Sequence, residues 1–272
     1  MLYKKNVDVN NQNDSRSIIF EMIDKNASVL DMGCACGDLA EKLVKLKNCK
    51  VCGLEYNPES VKKCISKNIF EEVRQFDLNN LNEQSLTQYN HRFDYVVFGD
   101  VLEHLLAPSQ TLKCSINYLK DGGKCIVSLP NLSHASIKAN LLLNDFTRTP
   151  LGILDSTHLH FFTYRTIAAF LAENNLDIVQ IAYTVLPIDG YQPHKVSELP
   201  PQIAEFIVKD PHSAVFQYIL LCTPRPGISA SELEEKLKNL DVIAKKENSV
   251  FKIKRFLMTK FPNTIKYLEK IR

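Results

Sequence analysis

Short apolar runs bounded by turn residues alternate along most of the chain with stretches of helical period. Residues 27–32 (ASVLDM), 50–55 (KVCGLE), 72–76 (EVRQF), 93–99 (FDYVVFG) and 123–129 (GKCIVSL) read as strands, as do 177–186 and 214–222. Between them, 38–47 (DLAEKLVKLK) sets Leu39, Leu43 and Leu46 on one face of a helix. Helices are also expected at 58–67 and 108–119, each opening on a proline that suits a first turn, and at 164–174. The first strands are apolar almost throughout, as strands buried on both faces must be. Strand and helix in alternation then imply an α/β fold: a doubly wound, mostly parallel sheet with helices on both faces. The last two strands are separated by Leu186-Pro187, Pro193 and Pro200-Pro201, which predict a loop followed by one helix at 201–208.

The run Pro224-Arg225-Pro226-Gly227 breaks the pattern. It divides the chain into a main domain, 1–223, and a basic helical C-terminal extension, 224–272. Residues 229–272 hold eleven Lys or Arg against six Asp or Glu, and Leu233, Leu237 and Leu240 share a helical face. Such a segment is a solvated appendage or a docking element for an anionic membrane surface or a partner protein.

Composition narrows the classes without choosing one. Apolar residues make up 45% and charged residues 24%, with a net charge of +2, so nothing points to a nucleic-acid partner. The polar, Asn-rich first fifteen residues hold no signal-peptide core, and no apolar run is long enough to span a membrane. The eight cysteines lie mostly in apolar runs, as reduced cysteines of a cytoplasmic protein do. Cys49 and Cys52 have a zinc-like gap but no second pair, so a structural zinc is not expected.

The chemistry concentrates at Val29-Leu30-Asp31-Met32-Gly33-Cys34-Ala35-Cys36-Gly37, a strand ending in an acid and turning through glycines into a helix. In an open α/β sheet, ligands sit at the carboxyl ends of such strands. Glu55 ends the second strand, where an acid accepts hydrogen bonds from both ribose hydroxyls of an adenosine. The loop reads G-x-A-x-G and is followed by Asp38, an acid that would repel a pyrophosphate at the helix start. A sulfonium nucleoside carries no phosphate and meets no such objection.

VLDMGCACG, then GLEYNP, FDYVVFGDVLEHL and LKDGGKCIVSLPN, in that order, resemble the class I S-adenosylmethionine-dependent methyltransferases over about residues 3–223. The resemblance implies a seven-stranded Rossmann-like sheet whose last strand is antiparallel, with S-adenosylmethionine as cofactor. It implies that Asp31, Gly33, Cys34 and Gly37 line the methionine and ribose, and that Glu55 holds the ribose with Tyr56 beside the adenine. Asp77 and Leu78 would lie by the adenine amino group, and Asp100 and Val101 by the methionine end. The family's middle glycine is Ala35 here.

Methylating an alcohol needs a base near neutral pH, most often histidine. His104 follows the fourth strand, His134 follows the fifth, and His158 and His160 lie in LDSTHLHFFT at 154–163. His158, with Asp155 to orient it, is the first candidate for the base and His104 the second. That segment also resembles bacterial methyltransferases that accompany glycosyltransferases in surface-polysaccharide synthesis, whose pattern is L-D-x-T-H-x-R-F-F-T. Here His160 stands in place of the arginine. The expected acceptor is a hydroxyl of a small molecule, a sugar or glycan intermediate. The alternatives are a quinone, a lipid-linked molecule or a protein, or a non-catalytic scaffold for glycosyltransferases. Glu103, His104 and the later histidines are of metal-ligand type, as in RNA-end methyltransferases, but the two-acid, two-histidine cluster of those enzymes is not present in that spacing, so no metal site is expected. The expected location is cytoplasmic, with peripheral contact at the inner face of the membrane through 229–272 as the variant. No Asn- or Asp-Pro-Pro-aromatic run follows the fourth strand, and no nucleophile elbow suggests a hydrolase.

Overall fold

The computed structural model describes residues 7–189 and 192–238. Seven strands form one sheet: β1 (Ser28–Met32), β2 (Lys50–Glu55), β3 (Glu72–Gln75), β4 (Phe93–Gly99), β5 (Leu119–Pro130), β6 (Leu176–Val185) and β7 (Val215–Pro224). Their order is β3-β2-β1-β4-β5-β7-β6. All pairings are parallel except those of β7, which runs antiparallel to both β5 and β6. The chain therefore winds outward from β1 to β3, returns to lay β4 on the other side of β1, and winds outward again. The turn-back leaves a crevice at the carboxyl ends of β1 and β4.

Successive residues of β1 feed opposite layers. Leu30 and Met32 pack with Cys52, Leu54 and Phe98 on one face, whereas Val29 packs with Val51, Tyr95 and Val97 on the other. Cys49 and Cys52 fall in opposite layers, so they do not share an ion. All eight cysteines are free and buried.

The helices lie where the pattern puts them: α2 (Asp38–Lys47), α3 (Pro58–Lys67), α4 (Pro108–Ile116), α6 (Tyr164–Glu173) and α7 (Pro201–Lys209). Leu46 departs from the expected face: it is exposed, and Leu39 and Leu43 carry the packing of α2. Two helices, α1 (Ser15–Met22) and α5 (Ala135–Leu142), were not legible in the pattern. Asp14 caps α1 by accepting from the amides of Arg16 and Ser17, which drives Ile19 and Phe20 into the second layer. β5 begins four residues earlier than its apolar run. Phe93 pairs with Leu119 and Tyr95 with Lys124, and the extra residues bulge out at Gly122, whose φ is +75°.

Beyond the proline break, α8 (Ala230–Lys238) buries Leu233 and Leu237 completely in the first layer. Asp177 of β6 takes Arg225 and Lys236 as ion partners. Up to Lys238, then, the extension packs on the main domain, while Leu240 and the basic residues after it lie outside the described residues. Among the described residues, no helix is long and apolar enough to cross a membrane.

Candidate active site

The glycine loop leaves β1 and doubles back under β2. The amides of Gly33 and Cys34 both donate to the carbonyl of Leu54. Gly33 has φ +88°, and a Cβ there would fall 2.7 Å from Val101 Cγ2. The loop after β1 and the turn after β4 thus touch at a point where only glycine fits. Ala35 also adopts a left-handed backbone, φ +46°, a conformation that glycine takes freely and alanine takes at a cost. It is held there by Glu55 Oε2, which accepts from its amide at 2.9 Å, and by the Cys64 thiol, which donates to its carbonyl at 3.1 Å. The Cys34 side chain turns inward, its sulfur 4.0 Å from that of Cys64, so this residue offers the cleft its backbone.

Glu55 Oε1 accepts from the amide of Asn57 at 2.8 Å. Each carboxylate oxygen of Glu55 therefore has one protein donor, and each retains a lone pair for a ribose hydroxyl. Tyr56, beside it, is 68% exposed, an open ring at the place expected for a purine. Asp77 caps the next turn through the Asn79 amide, with Leu78 buried behind it. Asp31 is buried, and burial together with the nearby Glu55 charge pushes its carboxyl up to about 7. Among the described residues neither acid has a salt-bridge partner. S-adenosylmethionine fits that demand: its sulfonium and ammonium are cations, and its ribose supplies the donors that Glu55 lacks.

Asp100 ends β4 in a left-handed conformation, φ +59°. Its Oδ1 accepts from Ser128 Oγ and Gln217 Nε2, both buried groups from β5 and β7. Asp100 is exposed as a residue, but those bonds place its carboxylate inside. Desolvation there lifts its carboxyl above the ordinary range. Ser128 and Gln217 had no sequence signal, because both lie in strands that read only as apolar.

Next to this turn, residues from two distant segments converge. His104 comes from the single helical turn after β4 and His158 from the loop between α5 and α6. Their rings meet edge to face, 4.7 Å between centroids. Glu103 Oε1 lies 4.0 Å from His158 Nε2. The loop is docked by the Glu103 carbonyl, which accepts from the amides of Leu159 (2.8 Å) and His160 (3.1 Å). Arg148 clamps the same loop, donating to the carbonyls of Asp155 and His158 at 2.6 Å each, and no motif marked it.

The expected partnership of Asp155 with His158 is replaced by another. Asp155 Oδ1 accepts from the amide and hydroxyl of Thr157, and Thr157 Oγ1 lies 3.0 Å from His104 Nδ1. The hydroxyl proton is committed to Asp155, so Thr157 Oγ1 accepts from His104 Nδ1–H. Asp155 therefore orients His104. The Nδ1 of His158 instead faces the carbonyl of Ile153 at 3.1 Å. A carbonyl only accepts, so this Nδ1 also carries the proton, and both Nε2 atoms keep their lone pairs. His158 is buried, and desolvation, then His104, lowers its pKa. His104 is half-buried. His134 is excluded as a base. It is fully buried as the cap of α5, engages Ser136 and Leu186 through its two nitrogens, and is pushed down to about 4 by burial. His160 tilts against Phe162 outside the cluster.

Comparison with known proteins agrees with this geometry. A methyltransferase-domain family model matches residues 11–181. The mitochondrial ubiquinone biosynthesis O-methyltransferase of Dictyostelium discoideum is 28% identical over 167 residues, 57% of this chain and 51% of that one. The Homo sapiens protein of the same name is 24% identical over 168 residues, 60% of this chain and 45% of that one. The chain thus spans about half the length of the curated relatives it matches. Among solved structures, a SAM-dependent methyltransferase from Archaeoglobus fulgidus aligns with TM-score 0.52 and 18% identity, covering 76% of this chain and 93% of that one. The [4+2]-cyclase SpnF aligns with TM-score 0.54 and 16% identity, covering 78% and 80%. A cyclase on the same scaffold shows that the fold leaves the reaction open. The chain belongs to the methyltransferase domain family, with the class I fold and the S-adenosylmethionine cleft that go with it.

Proposed function

We propose that this protein transfers the methyl group of S-adenosylmethionine to a hydroxyl of a small molecule with an apolar body. The observation that carries the reading is the pair of histidines with free Nε2 atoms beside the Asp100 turn, at the edge of the cofactor crevice. Methyl transfer to oxygen is an in-line displacement: the protein aligns the nucleophile and excludes water, and a base takes the hydroxyl proton. His104 suits the base. The Thr157–Asp155 relay fixes its ring and its tautomer, and its partial exposure leaves Nε2 within reach of an acceptor. His158, sequestered against Glu103, positions the pair from within. The sequence alone favours His158 for the base; burial and the relay favour His104.

For the acceptor, Leu106, two residues after His104, is 73% exposed, and Leu159, directly after His158, is 51% exposed. Phe161 packs against His158 and Phe146 against Phe161. A rim of this kind favours an aromatic or otherwise apolar body over a sugar, and the names of the curated relatives point to quinone chemistry. The sugar reading keeps the support of the LDSTHLHFFT segment. An apolar acceptor resides at membranes, which gives the basic residues 229–272 a role in peripheral docking.

The test is transfer of labelled methyl from S-adenosylmethionine to a panel of hydroxylated quinone precursors and nucleotide sugars. We expect O-methylated ring products, with His104→Gln lowering kcat by about 100-fold, the scale of one general base, and cofactor affinity unchanged. Methylation of the sugars alone would return the acceptor to the glycan class. Unchanged turnover in His104→Gln would remove that residue as the base.

A further inference from the structure

We infer that Glu103, His104 and His158 form a binding site for a divalent first-row transition-metal ion such as Zn²⁺, with positions left open toward the acceptor. The inference rests on the proposed function only for what the ion does, and not for whether it binds.

The three residues each bring one ligand atom to within 4.8 Å of the others. Two ligands of one such ion, at about 2.1 Å each, lie up to about 4.2 Å apart. The 4.0 Å gap between His158 Nε2 and Glu103 Oε1 is of that size, and it is too long for a hydrogen bond. Glu103 supplies the independent observation. It is 1% exposed, and neither of its carboxylate oxygens has a hydrogen-bond partner. A buried carboxylate without donors is among the costliest groups to place in a protein, and buried charges are found paired or coordinated to metal. Here two imidazoles lie beside it, and the charges of Asp100 and Asp155 add to the cost of ionising it without a cation.

The outer hydrogen bonds agree. A histidine that binds metal through one nitrogen usually donates its other N–H to a carbonyl, carboxylate or water, which fixes the ring and leaves the ligand lone pair aimed. His158 Nδ1 does this with the Ile153 carbonyl, and His104 Nδ1 does it with Thr157, itself tied to Asp155. These are separate devices with one result: both Nε2 atoms are unprotonated. Two imidazoles and one carboxylate suit Zn²⁺, Fe²⁺ or Co²⁺ better than Mg²⁺, which prefers an all-oxygen shell. Three protein ligands leave room for an oxygen of the acceptor.

An ion there takes over the task assigned to the His104 imidazole. A hydroxyl held on the ion loses its proton to solvent near neutral pH. The resulting oxyanion uses a lone pair to bond the methyl carbon. The carbon–sulfur bond breaks with its electrons passing to sulfur, leaving S-adenosylhomocysteine and the methyl ether.

The test is metal binding by the full chain in the absence of cofactor and acceptor. Chelator-treated, dialysed protein is titrated with Zn²⁺ by calorimetry and with Co²⁺ by visible absorption. We expect one equivalent of each to bind, with Co²⁺ d–d bands and much weaker binding of Mg²⁺. Glu103→Gln and His158→Asn should each weaken Zn²⁺ binding by about 10–100-fold or more, and His160→Ala, a neighbouring imidazole outside the cluster, should leave it unchanged. Unaltered S-adenosylmethionine affinity in each variant shows that the fold is kept. Equal Zn²⁺ binding by wild type and Glu103→Gln, or none by either, overturns the site. Zn²⁺ binding without methylation of any acceptor would sink the proposed function and leave the metal site standing. Methylation that survives chelation would overturn the ion's part in the chemistry and return proton removal to His104.

Discussion

Glu103→Met should stabilise the metal-free protein, and more so at alkaline than at acid pH. Glu103 is enclosed, and its two oxygens find no donor. Leaving a buried polar group unpaired costs about 1–3 kcal/mol. Methionine fills nearly the same volume without that cost. For a chain of this length about 1 kcal/mol moves Tm by about 2–4 °C, so the gain should be about 2–12 °C. The pH dependence follows from the carboxyl itself. Burial, and then the charges of Asp100 and Asp155, hold its pKa well above the ordinary 4.5. Above that value the unfolded chain releases a proton that the folded state retains. Wild-type stability therefore falls as pH rises, by up to about 1.4 kcal/mol per unit, until the folded carboxyl also ionises. Methionine has no proton to lose, so the gap between the two proteins widens with pH. Thermal melts at about pH 5 and about pH 8, with a chelator throughout, measure it. A variant no more stable than wild type, or a gap that narrows toward alkaline pH, would refute the reasoning and mean that Glu103 has a partner in solution.

Other outcomes follow from the cofactor cleft. Asp31, pushed up to about 7, must ionise to serve a cationic ligand. S-adenosylmethionine affinity should fall about tenfold per unit below about pH 7, and Asp31→Asn should flatten the profile; calorimetry across pH that finds wild type already flat would remove Asp31 from the site. Gly33→Ala meets both a left-handed backbone and Val101 at 2.7 Å. A loss of about 2–4 kcal/mol in denaturant melts, with loss of cofactor binding, is expected. Ala35→Gly relieves about 1 kcal/mol of left-handed strain but frees the unfolded chain by about 0.4–1 kcal/mol. Stability should change little and cofactor affinity should hold or improve; a tenfold loss of affinity would mean that the Ala35 methyl touches the ligand.

Much of the fold was legible because burial on both sheet faces writes itself into the strands as continuous apolar runs. The central strands and the glycine loop follow from this, as do Glu55 at the end of β2 and Asp100 after β4. Helix α1 was hidden by its Asn-rich approach, although the Asp14 cap was there to be read. α5 gave no stripe because Ala135, Ile137 and Ala139 are buried along with Ser136 and Asn140, so no polar face marks it. The histidine segments were recognised, but their pairing was not. Nothing in residues 154–163 says that Asp155 reaches His104 through Thr157, or that Glu103 lies against His158. Those are relations between segments about fifty residues apart, fixed by tertiary docking and invisible to local pattern. For the same reason Glu103, His104 and the later histidines, visible in the sequence as metal-ligand types, were set aside on spacing: nothing local shows that His158 lies against Glu103.

The backbone of Glu103 carries a consequence for how such proteins diversify. Its carbonyl receives two amides of the loop that follows α5, while its side chain faces the histidine that the loop delivers. The nucleotide half of the crevice is built by the loops after β1 and β2, and Asp100 beside it is held by Ser128 and Gln217 of the sheet rather than by that loop. The loop is therefore a transplantable cassette. Residues 143–163 of a relative should bring a new acceptor preference onto this scaffold whenever the graft keeps two amides in register with the Glu103 carbonyl and an arginine in the place of Arg148. A graft that slips by one residue would keep its cofactor and lose its chemistry. Specificity in this architecture can thus change without touching the residues that hold the methyl donor.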